Sequence, residues 1–143
     1  MRLLPGTTVD SVLFDVEAGK IREFARASQC SDLVHVDAAT AADRGFGSVL
    51  ATATHVVVAG HHRDQTEFVE KLGMDIRRIV VGSTSWDYTR PVRAGDTLTG
   101  VRTVVADENR GTMRLVTLET TYVDVAGEVV VRQREVLIEK GQP

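Results

Sequence analysis

Residues 35–62 read HVDAATAADRGFGSVLATATHVVVAGHH, and the fold turns on this stretch. It opens on His35, passes a turn marked by Gly45 and Gly47, and enters an apolar run over 49–60 that holds no Lys, Arg, Asp or Glu. Buried strands usually run about four to eight residues, so the length of this run predicts a buried helix. The β-branched Val56, Val57 and Val58 pull locally toward strand. A helix apolar on every side must be wrapped by other structure. The rest of the chain supplies the wrapping, because after residue 74 it reads almost entirely as strands.

Toward the N-terminus, residues 9–16 (VDSVLFDV) partly alternate, with Asp10, Val12, Phe14 and Val16 sharing one face, which predicts a first strand. From Glu17 the period lengthens. Ile21, Phe24, Ala25 and Ser28 fall on one helical face, so residues 17–28 form an amphipathic helix. A short helix follows over 38–44, with Asp37 as N-cap and Gly45 as terminator, and another over 66–72 ends at Gly73. Toward the C-terminus, residues 76–92 are β-type, with Gly82 marking a bulge, and RAGD at 93–96 is a turn. Strands follow over 97–106, 112–125 and 129–139, separated by turns at 109–111 and 126–128. Long neighbouring strands joined by short turns imply an antiparallel sheet, and with one long apolar helix they imply an α+β roll.

The chain has 143 residues, 43% of them hydrophobic, which fits one globular domain over 1–143. Seventeen basic and 20 acidic residues are interspersed to a net charge of −3, so there is no electrostatic footprint of a nucleic-acid partner. A single cysteine, Cys30, excludes an internal disulfide and any multi-cysteine metal site. The opening MRLLPGTTVDSVLFDV has too short an apolar stretch for a signal peptide, and no window reaches membrane-span length. The expectation is a soluble, cytoplasmic protein with no membrane partner.

Several residues have a plain structural reading. His61 and His62 are neighbours that point about 100° apart on a helix, which makes them poor joint metal ligands and suits a polar helix end. His55 reads as a core or dimer-interface histidine, Trp86 and Tyr88 as sheet packing, and Cys30 taken alone as a small buried hydrophobe.

Three segments carry a resemblance. KIREFARASQCSDLVHVDAATAADRGFGSVLA (20–51), YTRPVRAGDTLTG (88–100) and GEVVV (127–131) together resemble the MaoC-like hot-dog proteins, in particular the FAS1-like dehydratase domains found among subunits of (3R)-hydroxyacyl dehydratases. The resemblance spans roughly residues 10–140. It implies a hot-dog fold, a curved antiparallel sheet wrapped around a long central helix. It also implies an oligomer, either a homodimer or a heteromer with another hot-dog chain. The implied chemistry is hydration of trans-2-enoyl thioesters, or dehydration of (3R)-hydroxyacyl thioesters, carried on coenzyme A or acyl carrier protein. No metal and no redox cofactor is implied.

Active members carry D-x-N-P-x-H at the end of the first helix. Here the motif's His falls on His35, its Asp on Cys30, its Asn on Asp32 and its Pro on Leu33. A thiol accepts hydrogen bonds weakly and does not replace a carboxylate. Three readings stay open at this point. In the first, the chain keeps the fold and the acyl tunnel but relies on a separate catalytic hot-dog subunit. In the second, Asp32 supplies the missing carboxylate to His35. In the third, Cys30 and His35 form a thiolate and imidazolium pair. A hot-dog thioesterase is a further alternative. The resemblance places the thioester oxyanion donors at the amides near Gly47 and at Thr52 and Ala53, where catalytic relatives carry His-Gly. Arg90 and Arg93, flanking Pro91, are candidate contacts for coenzyme phosphates.

Overall fold

Turn residues and strand periodicity deliver most of the predicted elements. The computed structural model describes residues 2–141. Strand β1 (Thr8–Asp15) is followed by helices α1 (Ala18–Ala27), α2 (Ala38–Asp43) and α3 (Gln65–Leu72), and then by β2 (Ile79–Tyr88), β3 (Thr97–Arg110), β4 (Met113–Val123) and β5 (Val129–Glu139). The strands form one antiparallel sheet in the order β1-β3-β4-β5-β2. Gly82 lies at the register shift between Val81 and Ser83, where the β2–β5 pairing bulges. The 93–96 turn joins the 92–94 segment to β3, with Gly95 at φ 93°, a left-handed conformation that suits glycine.

The central helix is a correction. Residues 49–60 form no α-helix. The first part is extended and pairs with residues 92–94: Ala94 N–H donates to Val49 C=O at 3.0 Å, and Ala51 N–H to Val92 C=O at 2.8 Å. The second part is a 3₁₀-helix, His55–His62. Its bonds are of the three-residue kind, such as Val57 N–H to Thr54 C=O at 3.1 Å. Two causes act together. The β-branched Val56–Val58 sequence is a weak α-helix former, and the neighbouring 92–94 segment claims the backbone groups that the first helical turn would have used.

The long helix of the expected hot dog is therefore replaced by this 3₁₀-helix followed by α3, and both pack against β1. They bury Val56 and Ala59, then Phe68 and Leu72. One apolar cluster joins Val56 to Phe14, Ile21, Leu98, Tyr122 and Val131, and a second joins Phe68 and Leu72 to Val104, Leu118 and Leu137. α1 is shaped by its own period, burying Ile21 and Ala25 while its charged residues face solvent. Strand β2, at the sheet edge, stays largely exposed. Between it and the short helices lies a cavity of about 420 Å³.

Candidate functional site

The site residues are set by the end of α1. Gln29 takes a left-handed φ of 57°, and Cys30 N–H bonds Ala25 C=O at 2.8 Å, which turns the chain back under the helix. Cys30 is half-buried. Asp32 then caps a 3₁₀ turn, Leu33–His35, by accepting from Val34 N–H at 3.0 Å. Val34 is buried with Ala41 and Leu50, which anchors this turn to the 49–51 segment.

His35 and Leu50 meet there. Leu50 N–H donates to Val34 C=O at 3.0 Å, and His35 Nδ1 lies 2.7 Å from Leu50 C=O. A carbonyl only accepts, so Nδ1 carries a hydrogen and Nε2 is the ring nitrogen left for other partners. Asp32 does not orient this imidazole. Its Oδ1 accepts from Val34 N–H and from Arg44 Nη1 at 2.8 Å. These bonds, Val34's first, hold its carboxyl below the usual carboxylate range, with a smaller contribution from the nearby His35.

Beyond Leu50 the chain reaches the predicted oxyanion segment. Ala51, Thr52 and Ala53 line a second cavity of about 440 Å³ with Tyr88, Arg90 and Pro91. Thr52 C=O accepts from His55 N–H at 3.1 Å, and Thr52 Oγ1 is buried without a partner. Ala53 C=O accepts from the Tyr88 hydroxyl, a tie between loop and sheet edge that reading Tyr88 as packing missed. Burial pushes the Tyr88 phenol up to about 12, so it stays a donor at neutral pH. Gly47 is exposed in the preceding turn, three residues short of Leu50. Because Thr52 and Ala53 enter a 3₁₀-helix rather than an α-helix, the amides there belong to a loop and lack the aligned dipole of a long helix N-terminus.

The two arginines separate. Arg90 is bound by Asp96 at 2.8 and 3.1 Å and by Asp124 at 3.5 Å, so its charge is already neutralised. These partners raise its pKa, Asp96 first. Arg93 is half-exposed, with Asp96 at 3.9 Å. Among the described residues no three His, Cys, Asp or Glu side chains gather as a metal site, and no helix is long and apolar enough to cross a membrane.

A chain carrying this sheet, this loop and these cavities has close counterparts. The family described as the FAS1-like dehydratase domain region matches residues 4–133. The chain belongs to that family. This FAS1-like dehydratase-domain protein is 37% identical to a UPF0336 protein of Clavibacter michiganensis over 123 residues, 85% of this chain and 83% of that one. A Streptomyces griseus UPF0336 protein is 37% identical over 120 residues, 82% of this chain and 79% of that one. Among solved structures, the MaoC-like dehydratase of Rhodospirillum rubrum superposes with a TM-score of 0.72 at 26% identity, covering 99% of this chain and 95% of that one. The C-terminally truncated HadBC (3R)-hydroxyacyl-ACP dehydratase complex of Mycobacterium tuberculosis matches with a TM-score of 0.81 at 24% identity, covering 96% and 99%. The fold is that of the MaoC-like hot-dog proteins.

One feature of the interior was not anticipated. Arg102 and Arg63 both bind Asp10, Arg63 at 2.6 Å and Arg102 through two bonds, one of them Nε to Oδ1 at 2.9 Å. Arg102 also meets Glu135 at 3.4 Å and lies 3.5 Å over the ring of Phe68. Arg63 reaches the Tyr122 hydroxyl at 3.4 Å. The sequence did hold a signal: Asp10 shares its alternation set with Val12 and Phe14, which are buried.

Proposed function

We propose that this protein is an acyl-thioester-binding subunit of a trans-2-enoyl hydratase or (3R)-hydroxyacyl dehydratase, completed by a second hot-dog chain that carries the catalytic carboxylate. One observation carries the reading. Where the family's Asp stands, this chain has Cys30, and the nearest substitute, Asp32, spends its carboxylate on Val34 N–H and Arg44. Hydration adds hydroxyl to C3 and a proton to C2 while charge builds on the thioester oxygen, so it needs a base, a proton donor and an oxyanion donor together. His35 offers an imidazole tied through Nδ1 to the Leu50 carbonyl, and the carboxylate near it, Asp32, is engaged by Val34 N–H and Arg44 rather than by the ring.

The partner is expected along β2. That strand ends the sheet with an open edge, and Val81 is 62% exposed on it. An unprotected edge of this length is a pairing template. The acyl chain would enter the cavity beneath the short helices, and the half-exposed Arg93 would meet carrier phosphates.

The free Nε2 of His35 favours a second reading, in which the chain hydrates alone with His35 as base. The test follows the enoyl absorbance of crotonyl-CoA and a longer trans-2-enoyl-CoA. The proposal expects a steady signal with this chain alone. Adding a MaoC-like chain that bears D-x-N-P-x-H should then give hydration faster than that chain achieves by itself. Activity of this chain alone, lost in His35→Ala, overturns the proposal in favour of the second reading. Free thiol released without hydration would point to thioesterase chemistry instead.

A further inference from the structure

Alternation along the strands turns every second side chain inward, and most of those positions are apolar, Val12, Leu118, Val131 and Leu137 among them. One row is the exception. Asp10 on β1 lies opposite Arg102 on β3, Arg102 opposite Thr120 on β4, Thr120 opposite Gln133 on β5, and Gln133 opposite Trp86 on β2. The row crosses the whole sheet. Arg63 joins it from above through Asp10, and Glu135 joins it from the next inward position of β5.

This row is not sealed by packing. Arg63, Arg102, Thr120, Gln133, Glu135 and Trp86 all face the 420 Å³ cavity, a volume within the range of about 300–1,000 Å³ typical of small-molecule sites. Its other walls are mostly apolar, from Val57 and Val69 on the helices to Ile79 and Leu137 on the sheet, with Gln65 and Thr84 as polar exceptions. The Trp86 indole N–H is buried and has no partner. A plain alkyl chain laid along this floor would strip water from the Arg102–Glu135 pair and the Gln133 amide without replacing a single hydrogen bond. Uncompensated desolvation of that kind opposes binding.

Charge balance narrows the ligand further. Arg63 and Arg102 are matched by Asp10 and Glu135, so the floor is neutral overall. An ionised end group on the ligand would upset that balance, whereas a neutral oxygen can both accept from the arginines, the amide or the indole and, as a hydroxyl, donate to Glu135.

We infer that the cavity takes an acyl group bearing a neutral oxygen function, a hydroxyl, ketone or ether, in the distal part of its chain, with the Arg102–Thr120–Gln133–Trp86 row and Glu135 as its specificity determinants. The inference rests on the acyl-thioester reading above and names the substrate class within it.

The test is calorimetric binding to the purified full chain. The probes are dodecanoyl-CoA, a set of dodecanoyl-CoAs hydroxylated at single positions along the distal half, and the analogue ending in a carboxylate. At least one hydroxylated probe should bind about tenfold tighter than dodecanoyl-CoA. In Gln133→Leu, and separately in Thr120→Val, the ratio of the two affinities should fall to about one, with circular dichroism melts verifying the fold. If dodecanoyl-CoA or the carboxylate analogue binds as tightly as every hydroxylated probe, the inference fails and the thioester reading stands. If no probe binds, the thioester reading fails and takes the inference with it.

Discussion

His35 and Leu50 are tied through the Nδ1–H of one and the carbonyl of the other at 2.7 Å, while Leu50 N–H returns to Val34 C=O at 3.0 Å. The 33–35 turn is thereby latched to the segment that leads into Thr52 and Ala53. Replacing His35 with Phe leaves the Leu50 carbonyl without its partner. A loss of about 1–2 kcal/mol in urea unfolding is expected, with faster exchange of the Leu50 amide by NMR. Unchanged exchange would mean the latch does not hold this segment.

Asp10 is the single anion shared by Arg63 and Arg102, whose side chains are only 4% and 7% exposed. In Asp10→Ala both cations lose their main partner inside the fold, and Glu135 alone cannot serve two. The expected destabilisation is about 3 kcal/mol or more, measured by denaturant unfolding at neutral pH. Arg102→Met should cost less, because Asp10 keeps Arg63.

His55 is fully buried between Phe14 and Phe24, at ring distances of 5.9 and 5.4 Å, and neither ring nitrogen has a partner. Burial pushes its pKa from 6.5 down to about 4. Between those values the unfolded chain binds a proton that the folded chain refuses, so stability is retained above the window and falls as pH falls through it. The loss reaches at most about 3 kcal/mol. Asp75, held down to about 2 mainly by Arg77, loses its contribution only below this window. Unfolding midpoints in His55→Phe should therefore depend less on pH between about 6 and 4.5 than in wild type; an unaltered slope would remove His55 as the cause.

Gly100 lies on β3 directly beneath Tyr122. A Cβ there would sit 2.5 Å from Tyr122 Cε1, and that ring, 2% exposed, has nowhere to move. Gly82 presents a milder case, since its Cβ would meet the tip of Ile138 at 2.7 Å, the end of a flexible side chain. Gly100→Ala should cost about 1–3 kcal/mol by overpacking, and Gly82→Ala less, with thermal melts of the two variants giving the order.

Val81 is a 62% exposed residue of the edge strand β2, where it lines the 420 Å³ cavity. Val81→Lys should leave the unfolding free energy of this chain within about 0.5 kcal/mol. It should also weaken association measured by sedimentation. Wild-type association at full strength in the variant would move the partner surface away from β2.

How much of this was legible in sequence depends on whether the deciding interaction is local. The period-two strands, the face of α1 that buries Ile21 and Ala25, the cap at Asp37 and the helix end at Gly73 follow from neighbours within a turn or two of chain, and each lies within a few residues of where the pattern places it. The resemblance to the D-x-N-P-x-H motif set Cys30 at the position of that motif's Asp. The conformation of 49–60 was not legible, because residues 92–94 decide it by taking up the backbone groups of Val49 and Ala51. The fates of Asp32 and Arg90 were hidden for the same reason: Arg44, Asp96 and Asp124 are spatial partners whose distance in the fold no periodicity encodes. The polar row is the strongest case, since alternation places Asp10, Arg102, Thr120 and Gln133 inward one strand at a time, and only the registers of four strand pairs bring them together with Trp86 across the sheet. The sequence by itself determined most of the elements, which are properties of short stretches of chain. Tertiary structure decided which charges and backbone groups are paired and which face the cavity, because a hydrogen bond or ion pair is settled by proximity in space.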